Sequence, residues 1–214
     1  MSSDSTSDLA SLERLGGSDC LDFANTAEWN EASCLQTWLH SYCDLVIWSQ
    51  QGGIVTPDLA QQLEAEAERH PDRATAVLDR ALQLRAALHW LFVAIAQQHT
   101  PRSNDLATLN AELSRALPHL QLLQTNGEFK LDWVDSVLSL DRPLWAIAWS
   151  ATQLLNQPAQ LERVRHCAGA DCGWLFLDTS RNRSRRWCDM KDCGNRAKAH
   201  RHYQKTVRNA RSKP

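Results

Sequence analysis

The sequence predicts an α+β fold: a mainly helical N-terminal domain with a small antiparallel sheet, followed by a small cysteine-rich C-terminal module. Three observations carry that expectation. Apolar residues recur at helical spacing through most of the first 155 positions. One segment, residues 120–133, alternates about an Asn-Gly pair. Four of the seven cysteines fall in the last quarter of the chain, as two pairs of equal spacing.

Taken in order, residues 1–12 are rich in Ser and Asp and are expected to be disordered. The alternation in Leu21-Asp22-Phe23-Ala24-Asn25-Thr26 reads as a short strand. Ser41 with Asp44 three residues on is a capping-box pattern, and Gly52-Gly53 stops the helix it opens. Thr56-Pro57 opens a helix to about Arg69, which His70-Pro71 interrupts. A long helix from about Asp72 to Gln98 carries Val77, Leu78, Leu82, Leu84, Leu88, Leu91, Phe92 and Ile95. Another runs from Ser103 to near Ala116. The hairpin of 120–133 turns at Asn126-Gly127, with Phe129, Leu131 and Trp133 on one face. Asp141 and Pro143 start a last helix with Leu144, Ile147, Ala148, Ala151, Leu154 and Leu155 inward. The domain therefore spans 13–160, with three or so strands, and the module spans 161–214.

Composition narrows the class. The chain has 214 residues, 43% hydrophobic and 22% charged, with a mean hydropathy of −0.45. The longest near-apolar stretch, Ala86 to Ala96, falls short of the roughly 20 residues a bilayer-spanning helix needs. The start lacks the apolar core of a signal peptide, so a cytoplasmic protein without membrane association is expected. The formal charge of −2 conceals a split. Residues 1–161 hold 20 acidic and nine basic side chains, a net of −11, whereas 162–214 hold five and 14, a net of +9. An acidic body with a basic module points to a polyanionic partner for the module.

The late cysteines read Cys167-x4-Cys172-x15-Cys188-x4-Cys193. Four thiolates close a tetrahedral zinc completely, giving one structural Zn2+ with no open position for catalysis. An odd cysteine count without a secretory signal argues against a disulfide framework. Cys20, Cys34 and Cys43 lie in apolar or helical surroundings and read as core thiols. Three cysteines with one of His166, His200 or His202 is the alternative ligand set. The intervening residues suggest a hairpin, with Trp174-Leu-Phe-Leu177 as one strand, Asp178–Asn182 as the turn and Arg185-Arg-Trp187 as the return. A helix follows Cys193, which makes the arrangement treble-clef-like.

The tetrapeptide Cys193-Gly194-Asn195-Arg196, with Cys167 to Tyr203 around it, resembles the CGNR zinc finger. Leu21 to Thr26, Asp44-Leu-Val-Ile-Trp48 and the 120–133 hairpin resemble the ABATE domain that usually precedes it. The resemblance implies a bacterial, stress-induced transcriptional regulator whose finger binds DNA.

Zinc and four thiolates together contribute −2, leaving the module near +7. Arg181, Arg183, Arg185 and Arg186 are the candidate phosphate contacts of the hairpin. Lys191, Arg196, Lys198, Arg201, Gln204, Lys205 and Arg208 follow. On a helix, Arg201, Lys205 and Arg208 share one face with Gln204 beside them, the chemistry that reads base edges in a major groove. Trp174, Phe176 and Trp187 read as the module's small core, with stacking on bases as the alternative. Asn195 and Arg196 suit holding the finger together equally well. Because one finger buries little surface, dimerisation through the N-terminal domain is expected. That domain also reads as a sensor of a small-molecule effector, with Asp22, Asn25 and Thr26 lining a pocket beside Trp48. The alternative is that these residues satisfy local backbone. No GxSxG, P-loop, HExxH or Gly-rich dinucleotide fingerprint is present, so an enzyme is not expected. RNA binding and protein docking stay open as other uses of the module.

Overall fold

The computed structural model describes residues 9, 12–29, 34–134, 138–170 and 172–211, with side chains through 203. Apart from Leu9 and Leu12, the Ser/Asp-rich start lies outside the described residues. The fold is mainly helical, as its sequence suggests, and among the described residues the antiparallel strands form three separate pairs rather than one sheet.

The first element corrects the sequence reading. Asp19–Ala24 is a helix, α1, not a strand. The Ser18 carbonyl accepts from the backbone N–H of Leu21 and Asp22, and Asp19 and Asp22 sit in the first turn, where the helix dipole favours negative charge. Cys20, Leu21, Asp22, Phe23 and Ala24 are all buried, so the segment shows no polar face and its alternation misleads. Strands β1 (Ala27–Trp29) and β2 (Cys34–Thr37) then pair antiparallel.

Helix α2 (Tyr42–Gln51) begins with the expected capping box: Asp44 N–H donates to the Ser41 hydroxyl, and the Asp44 carboxylate accepts from Ser41 N–H at 2.8 Å. Helix α3 (Pro57–Arg69) starts after Thr56, whose hydroxyl accepts from Leu59 N–H. Helix α4 (Pro71–Ala96) runs through the middle of the molecule and packs on α2, α1 and α5 (Ser103–Ala116). Arg80 on α4 donates to Glu112 on α5 and, at 3.0 Å, to Asp141, fixing the start of the next helix.

Strands β3 (Leu120–Thr125) and β4 (Glu128–Trp133) form the expected hairpin. Asn126 and Gly127 have φ of 53° and 84°, as a type I′ turn requires. Helix α5 and helix α6 (Arg142–Leu155) pack together, and α6 buries Leu144, Ile147, Ala148, Ala151 and Leu154 against the core. Each fully buried Leu or Ile there contributes on the order of 1.5–3 kcal/mol. A short helix, α7 (Pro158–Leu161), leads into the module.

A second correction concerns the module's hairpin. Strand β6 (Leu175–Leu177) pairs antiparallel with β5 (Val164–His166), not with residues 185–187. The buried Asp178 carboxylate accepts from the N–H groups of Ser180 and Arg185 and from the Ser180 hydroxyl. That ties Arg185 to the turn and draws the return segment away from the strand.

Strand β6 also joins the two parts of the molecule. Leu175 and Leu177 point into the helical core with Val164, while Phe176 points the other way, against Cys167, Cys188 and Cys193. The Asn25 side chain donates to the Leu175 carbonyl and accepts from its N–H, both at 2.8 Å. Leu177 N–H donates to the Gly16 carbonyl. The body thus completes the outer edge of the strand.

Candidate metal centre and basic cleft

Cys167 follows β5 directly, and its N–H donates to the Trp174 carbonyl, closing the first knuckle. Ala168 N–H donates to the Arg186 carbonyl, which brings the second cysteine pair alongside. Asp189 caps one wide helical turn, Met190–Gly194, by accepting from Lys191 and Asp192 N–H. That turn carries Cys193, and helix α8 (Asn195–Arg211) continues from it. Asn195 donates from its amide to the Lys191 carbonyl at 2.8 Å, bracing the junction.

The Sγ atoms of Cys167, Cys172, Cys188 and Cys193 lie within 4.8 Å of one another. Cys172 and Cys188 are 3.6 Å apart, and Cys188 and Cys193 3.7 Å. A tetrahedral centre with metal–sulfur bonds of about 2.3 Å separates its sulfurs by about 3.8 Å, so the donor set fits zinc. Three of the cysteines are buried and Cys172 is half-buried. Crowding sets the thiols against one another. Hydrogen bonds from Cys172 and Cys188 lower the Cys167 pKa, whereas sharing protons with Cys167 and Cys172 pushes Cys188 far up. A dication bound by all four sulfurs resolves that conflict by holding them as thiolates, with a net charge of −2. Backbone N–H groups of Gly169 and Cys188 point at the Cys167 sulfur, and Arg196 donates to that of Cys193 at 3.2 Å, the outer hydrogen bonds that orient thiolate ligands. These four cysteines form the site of one structural zinc. No histidine joins them among the described residues.

Cys20 is buried, as expected, but Cys34 and Cys43 are exposed and are not core thiols. The exposed ends of β2 and α2 carry them.

Of the candidate polyanion contacts, Arg181, Arg183, Arg186, Lys191, Arg196, Lys198 and Arg201 are exposed. Arg186, Arg196 and Arg201 line one cleft of about 450 Å³ beside Cys193, with Trp187 and His200. Arg183 reaches Glu162 at 3.4 Å. Arg185 is half-buried: its guanidinium donates to the Trp187 and Cys188 carbonyls and stacks on Phe176 at 4.5 Å, so it braces the loop. Gln204, Lys205 and Arg208 fall on α8, with side chains outside the described residues. Phe176 is fully buried, whereas Trp174 and Trp187 are only half-buried.

Of the four residues expected around an effector pocket, Asp22 lines a cleft with Asp19, Ser150 and Gln160, whose lining does not include Asn25, Thr26 or Trp48. Asp22 accepts from Gly16 N–H at 2.7 Å, and burial raises its pKa to about 6. Asn25 holds Leu175, and Thr26 donates to the Phe23 carbonyl. Trp48 is buried beneath Arg14, 4.1 Å above its ring. These partners account for the polar groups of Asn25 and Thr26. The structure also reveals two roles that sequence reading missed. Asn25 reaches a partner 150 positions away, for which no local signal exists. Asp178 governs its turn, and the Asp-Thr-Ser pattern does signal that.

A family model described as putative stress-induced transcription regulator, ABATE, matches residues 17–158. The CGNR zinc finger model matches residues 163–206. No curated protein matches the chain.

Proposed function

This chain belongs to the ABATE family and carries a CGNR zinc finger, and from that we propose that it regulates transcription by binding duplex DNA through the finger. The observation that supports this reading most strongly is the cleft beside Cys193, where guanidinium groups from the loop (Arg186) and from α8 (Arg196, Arg201) converge around Trp187. Side chains from two elements, anchored by one metal, give a fixed spacing of positive charge that suits a phosphate backbone. Arg181, Arg183, Lys191 and Lys198 extend the contact to further phosphates, and α8 carries Gln204, Lys205 and Arg208 toward the base edges of a groove. Arg185 has no part in this beyond holding the loop. A catalytic role is not proposed.

In the same reading, two copies bind together through the N-terminal domain. The β3–β4 hairpin exposes Leu122, Phe129 and Leu131 at 64, 68 and 50%. Their positions in the pairing register place them on one face without a charge. Two bodies as acidic as these repel, so an uncharged, self-complementary face is the contact that a second copy suits.

Fluorescence anisotropy of the zinc-loaded chain on random duplex DNA and matched RNA tests the proposal, with Cys188→Ser as the control. Structural zinc in small fingers contributes about 10–16 kcal/mol, so that variant should lose the finger's fold and its binding. Binding to the duplex that vanishes in Cys188→Ser is the expected result. Absence of duplex binding at low salt, or equal binding by the variant, overturns it.

A further inference from the structure

We propose that the cleft between α1 and the α6–α7 junction binds a small polar molecule carrying an ammonium or guanidinium group, with Asp22 as its anchor. The cleft holds about 390 Å³, within the range of small-molecule sites. One wall carries Ser18, Asp19 and Asp22, and the other Ser150, Gln153 and Gln157. Both walls come from stretches of chain, 12–29 and 138–170, that are described throughout. The Ser18 and Ser150 hydroxyls meet across the cleft at 3.1 Å.

Two features favour a ligand over a solvent-filled furrow. Asp22 is only 7% exposed, and its Oδ1 accepts from Gly16 N–H at 2.7 Å. Among the described residues no hydrogen bond reaches its Oδ2. A carboxylate oxygen at that depth without a donor is costly. Arg14 does not supply one: its guanidinium lies over the Trp48 ring and donates to the Trp48 carbonyl and, at 3.4 Å, to Asp19. The second feature is the chemistry of the walls. They offer carboxylates, hydroxyls and side-chain amides, and among the described residues no Lys, Arg or His lines them.

Charge narrows the class. Asp19 and Asp22 outnumber the one guanidinium beside them, that of Arg14, and residues 1–161 carry a net of −11. That field draws a cation in and turns an anion away. A cation on Oδ2 would also hold Asp22 ionised against the burial that raises its pKa to about 6. Asp22 is where the cleft meets the seat of the finger. Gly16, whose N–H donates to Asp22, accepts at its carbonyl from Leu177 N–H of β6 at 2.8 Å. The fit there is close: a Cβ on Gly16 would sit 2.9 Å from Asp22 Oδ1. A bound cation would therefore strengthen the Gly16 hydrogen bond and steady β6 through it. The proposal places the expected sensor at Asp22, without Asn25, Thr26 or Trp48, and it does not require DNA.

The test titrates the zinc-loaded full chain at physiological salt, by calorimetry, with agmatine and a matched series of 1,4-diaminobutane, 1,4-butanediol and succinate. Agmatine or the diamine should bind saturably, and the diol and succinate should not. Asp22→Asn keeps an acceptor for Gly16 N–H and should weaken that binding at least tenfold. Gln153→Lys, at an exposed position on the rim, leaves the core untouched and should weaken it at least fivefold. Between pH 7 and 5 the affinity should fall about tenfold as Asp22 takes up its proton. Hydrogen exchange at Leu177 N–H should slow at least twofold in the bound state. No saturable binding by either cation, equal binding by the diol or succinate, binding unchanged in Asp22→Asn or in Gln153→Lys, or an affinity independent of pH overturns the proposal. Unchanged exchange at Leu177 overturns its coupling to β6. None of these readouts involves DNA, so either proposal can fail while the other stands.

Discussion

His89 carries a pH dependence that follows from its burial. Desolvation, with repulsion from His166, Arg102 and Arg85, holds its pKa down to about 3, so the folded protein keeps it neutral. The unfolded chain takes up the proton below about pH 6.5, and stability is lost as the pH falls through that value. Between pH 7 and 5 the loss from this one group is about 2 kcal/mol. Measured by denaturant unfolding, His89→Phe should lose less stability than the wild type over that interval; equal losses would contradict the burial argument. Asn25 makes a second prediction at this scale. Removing its side chain strands the buried N–H and carbonyl of Leu175 and costs about 1–3 kcal/mol for each group left unpaired. Asn25→Ala should therefore destabilise the whole chain, whereas a surface Asn such as Asn195 should affect only the finger. The four zinc ligands were legible in the sequence because their paired spacing is itself the chemistry. Asn25 was not, since its partner lies 150 positions away, and neither was His89, whose neighbours come from three separate segments.

Among the elements, those that declare their ends locally were read correctly. The Ser41–Asp44 box, Thr56-Pro57 and Asn126-Gly127 each fix a boundary through a hydrogen bond or a positive φ that neighbouring residues alone decide. Helix α1 escaped because burial on every side erases the amphipathic period. The return strand at 185–187 escaped because the buried Asp178 captures Arg185 N–H, a competition between side chain and ladder that periodicity does not register. The β3–β4 hairpin was legible as a hairpin, and its apolar face was legible as one face, but not what covers that face. Leu122, Phe129 and Leu131 on that face are exposed to solvent, and the face belongs to the dimer proposed above. Leu131→Lys, at a half-exposed position, should leave the melting temperature nearly unchanged and weaken dimerisation at least tenfold in sedimentation equilibrium. A wild-type monomer at tens of micromolar, or a variant that dimerises equally well, would remove the hairpin from the account.

The molecule as a whole is less divided than its sequence. Charge and the two family matches part it near residue 160, whereas Val164, Leu175 and Leu177 sit in the helical core and Phe176, between the two leucines, faces the zinc cysteines. The finger is therefore seated on the body through the same strand that carries part of its own core. An acidic body held this close to the basic cleft should confine a polyanion to the face lined by Arg186, Arg196 and Arg201. The most direct measurement of the central claim is the salt dependence of duplex binding by the zinc-loaded chain. Each phosphate contact contributes about −0.9 to the slope of log K against log salt. A slope steeper than about −3, reduced by roughly two in Arg186→Gln/Arg201→Gln, is the predicted result. A slope near zero, or one the double substitution leaves intact, would contradict DNA binding by this cleft.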